Sequence, residues 1–506
     1  MELKLNKWIY GCVAVLMLAA AWIFTRIDGG EDTVRYEQHL EEPDEAGLGE
    51  KPQSDGLVTH LPIISIDTGG ETIPGNAILN DSLSIVGTTK TADGKDHIMA
   101  HMEVISGEGW HQLSDTPEVS SDITIHIRGN SSRRFDKKNY RIELIKDGNE
   151  EEKNSQPLIG MAKSDSWILH GPFLDKTLVR NYVGMNISAR VMGYAPNVRF
   201  CELELNGEYK GLYLLMENID VSEGRLNLFQ YEEGDPVMSY VVSQDAAERG
   251  KEIAGFSFYT RRLEPGVTYN ILYPGTKYLT EDVKNYVCQD LSEIEDAIFS
   301  WEAENDDDFY VSYLDEDSFV DYFVLQEFLG NLDAGVRSTC FYKDARGKLH
   351  IGPVWDYNNV LDNFIRQASF RGFVLTDRGM YSQLIKSERF VKKVIRRYRE
   401  LRKGILDEDY LISYIRDTQA WIGTAVERNY SVWGYSFEWQ NLPRGVRRIP
   451  DKGGESTEAD VNPDSFDAAN AMMIRYLKRR GEWMDEHIDS LLQYCQASKK
   501  ANTALY

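Results

Sequence analysis

The feature that most constrains this chain is a change of hydrophobic period along it. From Leu61 to about residue 155, apolar residues come in short β-branched runs (LPIISIDT, LSIVGTTK, HIMAHMEVI, ITIHIRG), and no helical spacing appears. Helical spacing then takes over in DKTLVRNYVGMNISARVMG, closed by Gly193, and in EDVKNYVCQDLSEIEDAIF, DSFVDYFVLQEFLGN, the stretch 381–430 and a final helix from Ala468 to Cys495. Two later strand pairs interrupt the helices. RFCELELNGEYKGLYLLMENI turns at Asn206-Gly207, a strong hairpin signal, and STCFYKD pairs with KLHIGPVWDY around Ala345-Arg346-Gly347. The segment 434–466, rich in Gly, Pro and Asp, reads as a long loop. Strands early and helices late predict an α+β fold.

The N-terminus sets the expected topology. Trp8–Phe24 is an uncharged apolar run at the short end of the membrane-spanning range, and Trp8 and Trp22 suit an interfacial aromatic belt. Lys4 and Lys7 precede it, while Asp28, Glu31 and Asp32 come closely after Arg26, so the positive-inside rule sends the bulk of the chain out of the cytoplasm. The reading is an uncleaved single-pass signal anchor; a cleaved signal peptide is the alternative. The expected organisation is a cytoplasmic tip and anchor over 1–27, an acidic linker over 28–56, a β-rich segment over 57–120 and the main domain over 121–495.

Composition narrows the function. The 506 residues carry 56 Lys and Arg against 81 Asp and Glu, a net charge of −25, which argues against a nucleic-acid partner because phosphate neutralisation needs a basic face. Nine acids and one Arg lie in 28–50, and eight acids with no basic residue lie in 302–317, so much of the excess sits in two segments. The runs Asp306–Asp308 and Asp315–Asp317 read as helix starts and solvated loops; calcium is a weaker alternative, since EF-hand spacing is absent. RFVKKVIRRYRELRKG, 389–404, reads as a solvated basic face or as a surface for an anionic partner. Five cysteines form no CxxC pair, which argues against a zinc site; Cys201, Cys288, Cys340 and Cys495 read as buried thiols, with a disulfide left open.

Three constellations carry possible chemistry. IRGNSSRRFDKKNYRIEL places Gly129, Asn130, Ser131 and Ser132 between two strands, with Arg128, Arg133, Arg134, Lys137 and Lys138 around them. Open backbone N–H groups and cations suit a polyphosphate, although the P-loop pattern is absent and a basic surface hairpin is the plainer reading. LGNLDAG holds Asp333 after an apolar helix, and GPVWDYNN holds Asp356 after an apolar strand; the hairpin between them can bring the carboxylates together. Two such acids beside a basic loop fit magnesium-assisted phosphoryl transfer, and turn formation is the plainer alternative. Glu217 ends an apolar strand, and Asp175 in DKTLVRN caps a helix start.

These segments resemble the CotH family, named for spore coat protein H. IRGNSSRRFDKKNYRIEL looks like its RGNSS…KK signature. DKTLVRNYVGMNISARVMGYAPNVRFCELELNGEYKGLYLLMENID is similar to its Asp…Arg-Asn helix, Ala-Pro turn, Asn-Gly hairpin and GxYxxxE strand. LGNLDAG and GPVWDYNN resemble its NxD and WDxD motifs, and IRYLKRRGEWMDEH its Arg-x-x-Trp helix. The resemblance covers about residues 60–490 and implies an atypical protein-kinase-like fold in a secreted or surface protein. Such a protein uses ATP with Mg2+ or Mn2+ to phosphorylate a protein substrate. It implies Asp333 as the catalytic residue, Asp356 and Asn358 as metal ligands, and Arg128, Lys138, Glu217 and Trp355 on the nucleotide side. The chain departs from the family pattern twice. Asn358 replaces the second acid of WDxD, and Ser338 stands five residues after Asp333, where ordinary kinases place a metal-binding Asn. The alternative is therefore a catalytically weak or inactive module acting in cell-surface or spore-coat-type assembly.

Overall fold

Alternation of inward and outward side chains builds the first half of the molecule. The computed structural model describes residues 35–248, 250–253, 266–300, 306–363, 369–442 and 462–495. The chain divides into two units, 1–37 and 38–506, and the sheets and helices belong to the second. The main sheet contains β1 (Ile63–Asp67), β2 (Ile98–Ile105), β3 (Val119–Ile127), β4 (Tyr140–Lys146), β5 (Asn149–Lys153), β6 (Ser166–His170), β7 (Val198–Leu205) and β8 (Glu208–Glu217). Its order is β6-β8-β7-β1-β2-β3-β4-β5, and β6 also pairs with β4, so the first seven strands in that order close on themselves as a barrel. All neighbours are antiparallel except β7 and β1. Trp167, Leu169, Cys201, Leu203, Tyr213 and Leu215 alternate into one core with Ile64, Ile66, Ile123 and Ile142. The intervening Ile168, Phe200, Leu212 and Leu214 face outward into the larger core.

That larger core is roofed by helices. Helix α1 (Arg180–Met192) follows β6, and α2 (Glu281–Phe299), α3 (Glu316–Leu329), α4 (Glu388–Leu401), α5 (Glu408–Ile422), α6 (Ala425–Trp433) and α7 (Phe466–His487) come later. A second, antiparallel sheet runs β10-β11-β9-β12-β13, from β9 (Tyr240–Ala246), β10 (Glu252–Ile253), β11 (Val267–Tyr273), β12 (Thr339–Lys343) and β13 (Leu349–Ile351). Thr280, Asp315, Ser387 and Asp407 cap α2 to α5 through their side chains. The mixed α+β reading holds.

Two expected boundaries move. The division at residues 120 and 121 falls inside β3, and β1 and β2 sit in the ring between β7 and β3. The acidic linker is docked at Gln38, His39 and Glu45, and from 46 to 56 it is mostly exposed. Gln38 exchanges two hydrogen bonds with the backbone of Phe200, His39 contacts the Tyr182 hydroxyl, and Glu45 lies 3.5 Å from His60. A short helix with buried polar partners replaces the solvated stalk there. Among the described residues no helix is long and apolar enough to cross a membrane. The anchor expected at Trp8–Phe24 and most of the 434–466 loop lie outside the described residues. Cys201, Cys340 and Cys495 are buried and Cys288 half-buried, all as free thiols.

Candidate functional site

Four segments meet at one place: Arg128 just after β3, Asp245 near the end of β9, Asp333 in the turn after α3 and Asp356 just after β13. Burial pushes the Asp356 carboxyl up to about 7; the neighbouring Asp333 charge adds to this, Asp245 less so, and the Arg128 guanidinium opposes it. Arg128 is itself lowered to about 10, first by burial, with Asp356 and Glu248 pulling the other way. Its guanidinium lies 5.6 Å over the ring of Trp355, so the residue before Asp356 holds the cation beside the carboxylate. Burial also raises Asp245, against the attraction of Arg337, and Ser338 Oγ lies 3.5 Å from its carboxylate.

Asp356 adopts a φ of +61°, a left-handed conformation that costs a non-glycine residue roughly 1–2 kcal/mol. The surroundings hold it there. The Asn181 side-chain oxygen accepts the Tyr357 N–H at 2.8 Å, and Arg180 donates to the carbonyls of Val360 and Leu361. Tyr357 is buried, with its hydroxyl bonded to Ser188 and Gln326, each at 2.8 Å. Its ring lies so close to Gly184 that an added Cβ would come within 2.5 Å, which requires glycine on that face of α1. Asp175 completes the arrangement by accepting the Arg180 N–H at 2.8 Å and pairing with the Arg180 guanidinium. The DKTLVRN segment is therefore both a helix start and the clamp on the Asp356 segment. The amide of Asn181 also lies 3.0 Å from His170, which burial lowers to about 4 and keeps neutral.

Asp333 is held separately. Asn331 Oδ1 accepts its backbone N–H at 3.1 Å, which explains the NxD spacing. Arg378 donates to the carbonyls on either side, Leu332 at 2.7 Å and Ala334 at 3.1 Å. The segment carrying Arg378 is fixed by a buried ion pair. Glu327 accepts the N–H groups of Val374 and Leu375, and Arg480 of α7 pairs with Glu327 at 2.9 Å while gripping the carbonyls of Phe370 and Gly372. Asn359 Nδ2 reaches Asp333 at 3.5 Å and joins the two turns.

The remaining expected residues have partners of their own. Lys138 donates to the Arg133 carbonyl at 3.0 Å. Arg133 closes its loop on the carbonyls of Gly129, Gly75 and Ile127. Lys137 is buried, donating to Leu212 O and Asn429 Oδ1, and burial holds its amine well below the usual lysine range. Arg128 is thus the cation of this basic segment whose charge acts on Asp356. Glu217 is fully buried; one carboxylate oxygen accepts both N–H groups of Asn197, and the other lies 3.9 Å from Arg225. Trp355 is half-buried between Arg128 and the packed cores.

For a divalent cation the donor set is oxygen-rich. Among the described residues no three His, Cys, Asp or Glu side chains gather as a metal cluster. The Asn358 and Asn359 side-chain oxygens are buried with no hydrogen-bond donor, next to a carboxylate whose charge burial disfavours. Hard oxygen donors short of a positive partner fit magnesium or manganese, with Asn358 standing where a second acid would supply charge. Asp245, Asn181 and Arg378 escaped the sequence reading of the site. Of these, only Asn181 sat in a segment already singled out, DKTLVRN, whose Arg180 reaches an acid, Asp175.

The fold and site define an α+β protein with paired carboxylates held on two clamped turns beside one arginine. The CotH kinase protein family matches residues 125–484, and the chain belongs to it. It is also similar to inner spore coat protein H of Bacillus subtilis (strain 168), 21% identical over 378 residues, covering 73% of this chain and 88% of that protein. Among solved structures, a complex of HipA and HipB with operator DNA from Shewanella oneidensis MR-1 is matched at 13% identity, over 69% of this chain and 66% of that one. Its TM-score of 0.25 carries no argument about the fold.

Proposed function

We propose that this protein is an extracytoplasmic, membrane-anchored, atypical protein kinase-like enzyme. It would transfer the terminal phosphoryl group of ATP to a hydroxyl of a protein at the cell surface, with Mg2+ or Mn2+. The observation that supports this most is the joining of the Asp333 and Asp356 turns by Asn359, whose amide reaches Asp333 at 3.5 Å, with the Asp333 charge raising the Asp356 carboxyl and Arg128 lowering it. In this reading Asp333 orients the acceptor hydroxyl and takes its proton. Asp356 and Asn358 hold the divalent ion, which when bound neutralises charge on the transferred group. Arg128 faces the phosphates with Trp355 beside it, while Lys138 and Glu217, expected on the nucleotide side, act there only by holding the Arg133 loop and the Asn197 turn. The family match, the name of the spore coat relative and the apolar run at Trp8–Phe24 support the surface location.

Labelled ATP with Mg2+ or Mn2+ tests it. Label should enter the protein itself or a surface extract, and Asp333→Ala should abolish it. No incorporation beside an active control kinase would overturn the enzyme. Asn358 and Ser338 favour a second reading, a module of weak or no activity in surface or spore-coat-type assembly. A thermal shift with ATP and metal that Asp356→Ala removes would count against that module being nucleotide-free.

A further inference from the structure

Helix α4 carries two basic stripes, and the chain supplies acids for one of them. Arg389, Lys393 and Arg397 form the first. Arg389 pairs with Asp308 at 2.8 Å and Glu316 at 3.1 Å, Lys393 with Glu316 at 2.6 Å and Asp317 at 2.7 Å, and Arg397 with Asp321 at 2.6 Å. The acidic run before and within the start of α3 is therefore the partner of this face. The second stripe, Lys392, Arg396 and Arg399 with Lys403 just past the helix end, is spaced by four, three and four residues on the exposed side, where the first is spaced by four and four. These residues line a groove of about 560 Å3 with Ile395 and Leu492, opposite the turn that follows α7.

The second stripe is only partly neutralised. Lys392 pairs with Glu388 on its own helix and Arg399 with Asp489, while Glu400, also in the groove, is turned to Arg397. No acid meets Arg396 or Lys403 among the described residues. The lining carries four cations against two acids, on a chain whose net charge is −25.

We propose that this groove docks an acidic segment of a partner protein, with carboxylates spaced to meet Arg396 and Lys403 and an apolar residue beside the half-buried Leu492. The first stripe is the template: a basic row on the same helix, also built on helical spacing, is already met by an acidic helix start. The concave shape of the groove favours a peptide segment over a flat membrane surface. The proposal is independent of the phosphoryl-transfer reading.

The test measures binding of a fluorescent twelve-residue Glu/Asp/Leu peptide to the full protein at low salt. An isosteric Gln/Asn/Leu peptide and phosphatidylserine vesicles serve as comparison probes. The acidic peptide should bind, lose affinity as salt screens the charges, and bind at least about tenfold more weakly to Arg396→Glu/Lys403→Glu. Lys146→Glu/Lys348→Glu, the same charge change on other exposed lysines, should bind as the unaltered protein does. A thermal midpoint checks that each variant folds; if the first pair fails, Arg396→Gln/Lys403→Gln replaces it. Equal weakening in both pairs, no binding of the acidic peptide, equal binding of the amide peptide, or binding of vesicles alone would each overturn the proposal.

Discussion

The loop at 128–138 and the two turns at 333–359 both look charged, yet they satisfy their charges in opposite ways. The loop folds most of its cations onto its own carbonyls and into the core, through Arg133, Lys137 and Lys138. The turns leave oxygen atoms short of partners: Asp356 is raised by burial, and Asn358 and Asn359 hold donorless oxygens. A count of charged residues therefore overstates what the loop can offer a phosphate and understates what the turns want. Under the proposed reading a cation from outside would meet that deficit, with Arg128 as the contribution of the basic segment.

That contrast can be broken at its strong end first. Asp356→Ala should reduce labelled-phosphate transfer by roughly 100-fold or more, since it removes the charged ligand from the turn. Retained transfer would mean that the turn is not where the cation sits. Asn181→Ala frees the Tyr357 N–H and should weaken metal affinity about tenfold, read as a smaller Mn2+-induced thermal shift. Asn181→Asp, which keeps the accepting oxygen, should lose less.

The pH dependence sharpens the same point. Asp356 is held near pH 7 in the folded protein against about 3.9 for an unperturbed aspartate, so between these values the folded state keeps a proton that the unfolded chain has released. Wild-type stability without metal should then fall as pH rises through about 4 to 7 and level off above. Asp356→Asn removes the fall and should stabilise the metal-free protein by about 1–2 kcal/mol at pH 8, with little effect at pH 4. Denaturant melts at the two pH values check this; an equal effect at both would mean that the carboxyl is not strained by its surroundings.

At the weak end, Arg128→Ala should raise the KM for ATP several-fold, about 1 kcal/mol, through lost phosphate contact. Lys138→Ala should change it least, within about 0.5 kcal/mol, because its ammonium already serves the Arg133 carbonyl. Steady-state kinetics on the two variants would break the comparison if Lys138 cost as much as Arg128.

Local signals were legible in the sequence and closure was not. The Asn206-Gly207 hairpin, with both residues at positive φ, the Gly193 helix end and the span of α2 follow from turn chemistry and period. The convergence of Asp333 and Asp356 followed from the hairpin between them. Asp245 was missed because the strand SYVVSQDA carries no motif, and its place beside Asp333 depends on β9 pairing with β12 across nearly a hundred residues. The inward turn of Lys137 was hidden for the same reason, since its partner Asn429 lies far along the chain. Spacing reveals which residues share an element; it does not reveal which distant carbonyl will absorb a cation.

The closed ring of strands has a consequence for where this protein can be cut. The family match begins at residue 125, yet β1, β2 and most of β3 precede it and stand between β7 and β4. A fragment trimmed to the match would expose the backbone edges of β7 and β4 together with the apolar lining of the barrel. Such unpaired edges recruit other chains. A piece that keeps the barrel ring closed begins before Ile63, so a fragment limited to the family match should fold less well than one that begins there.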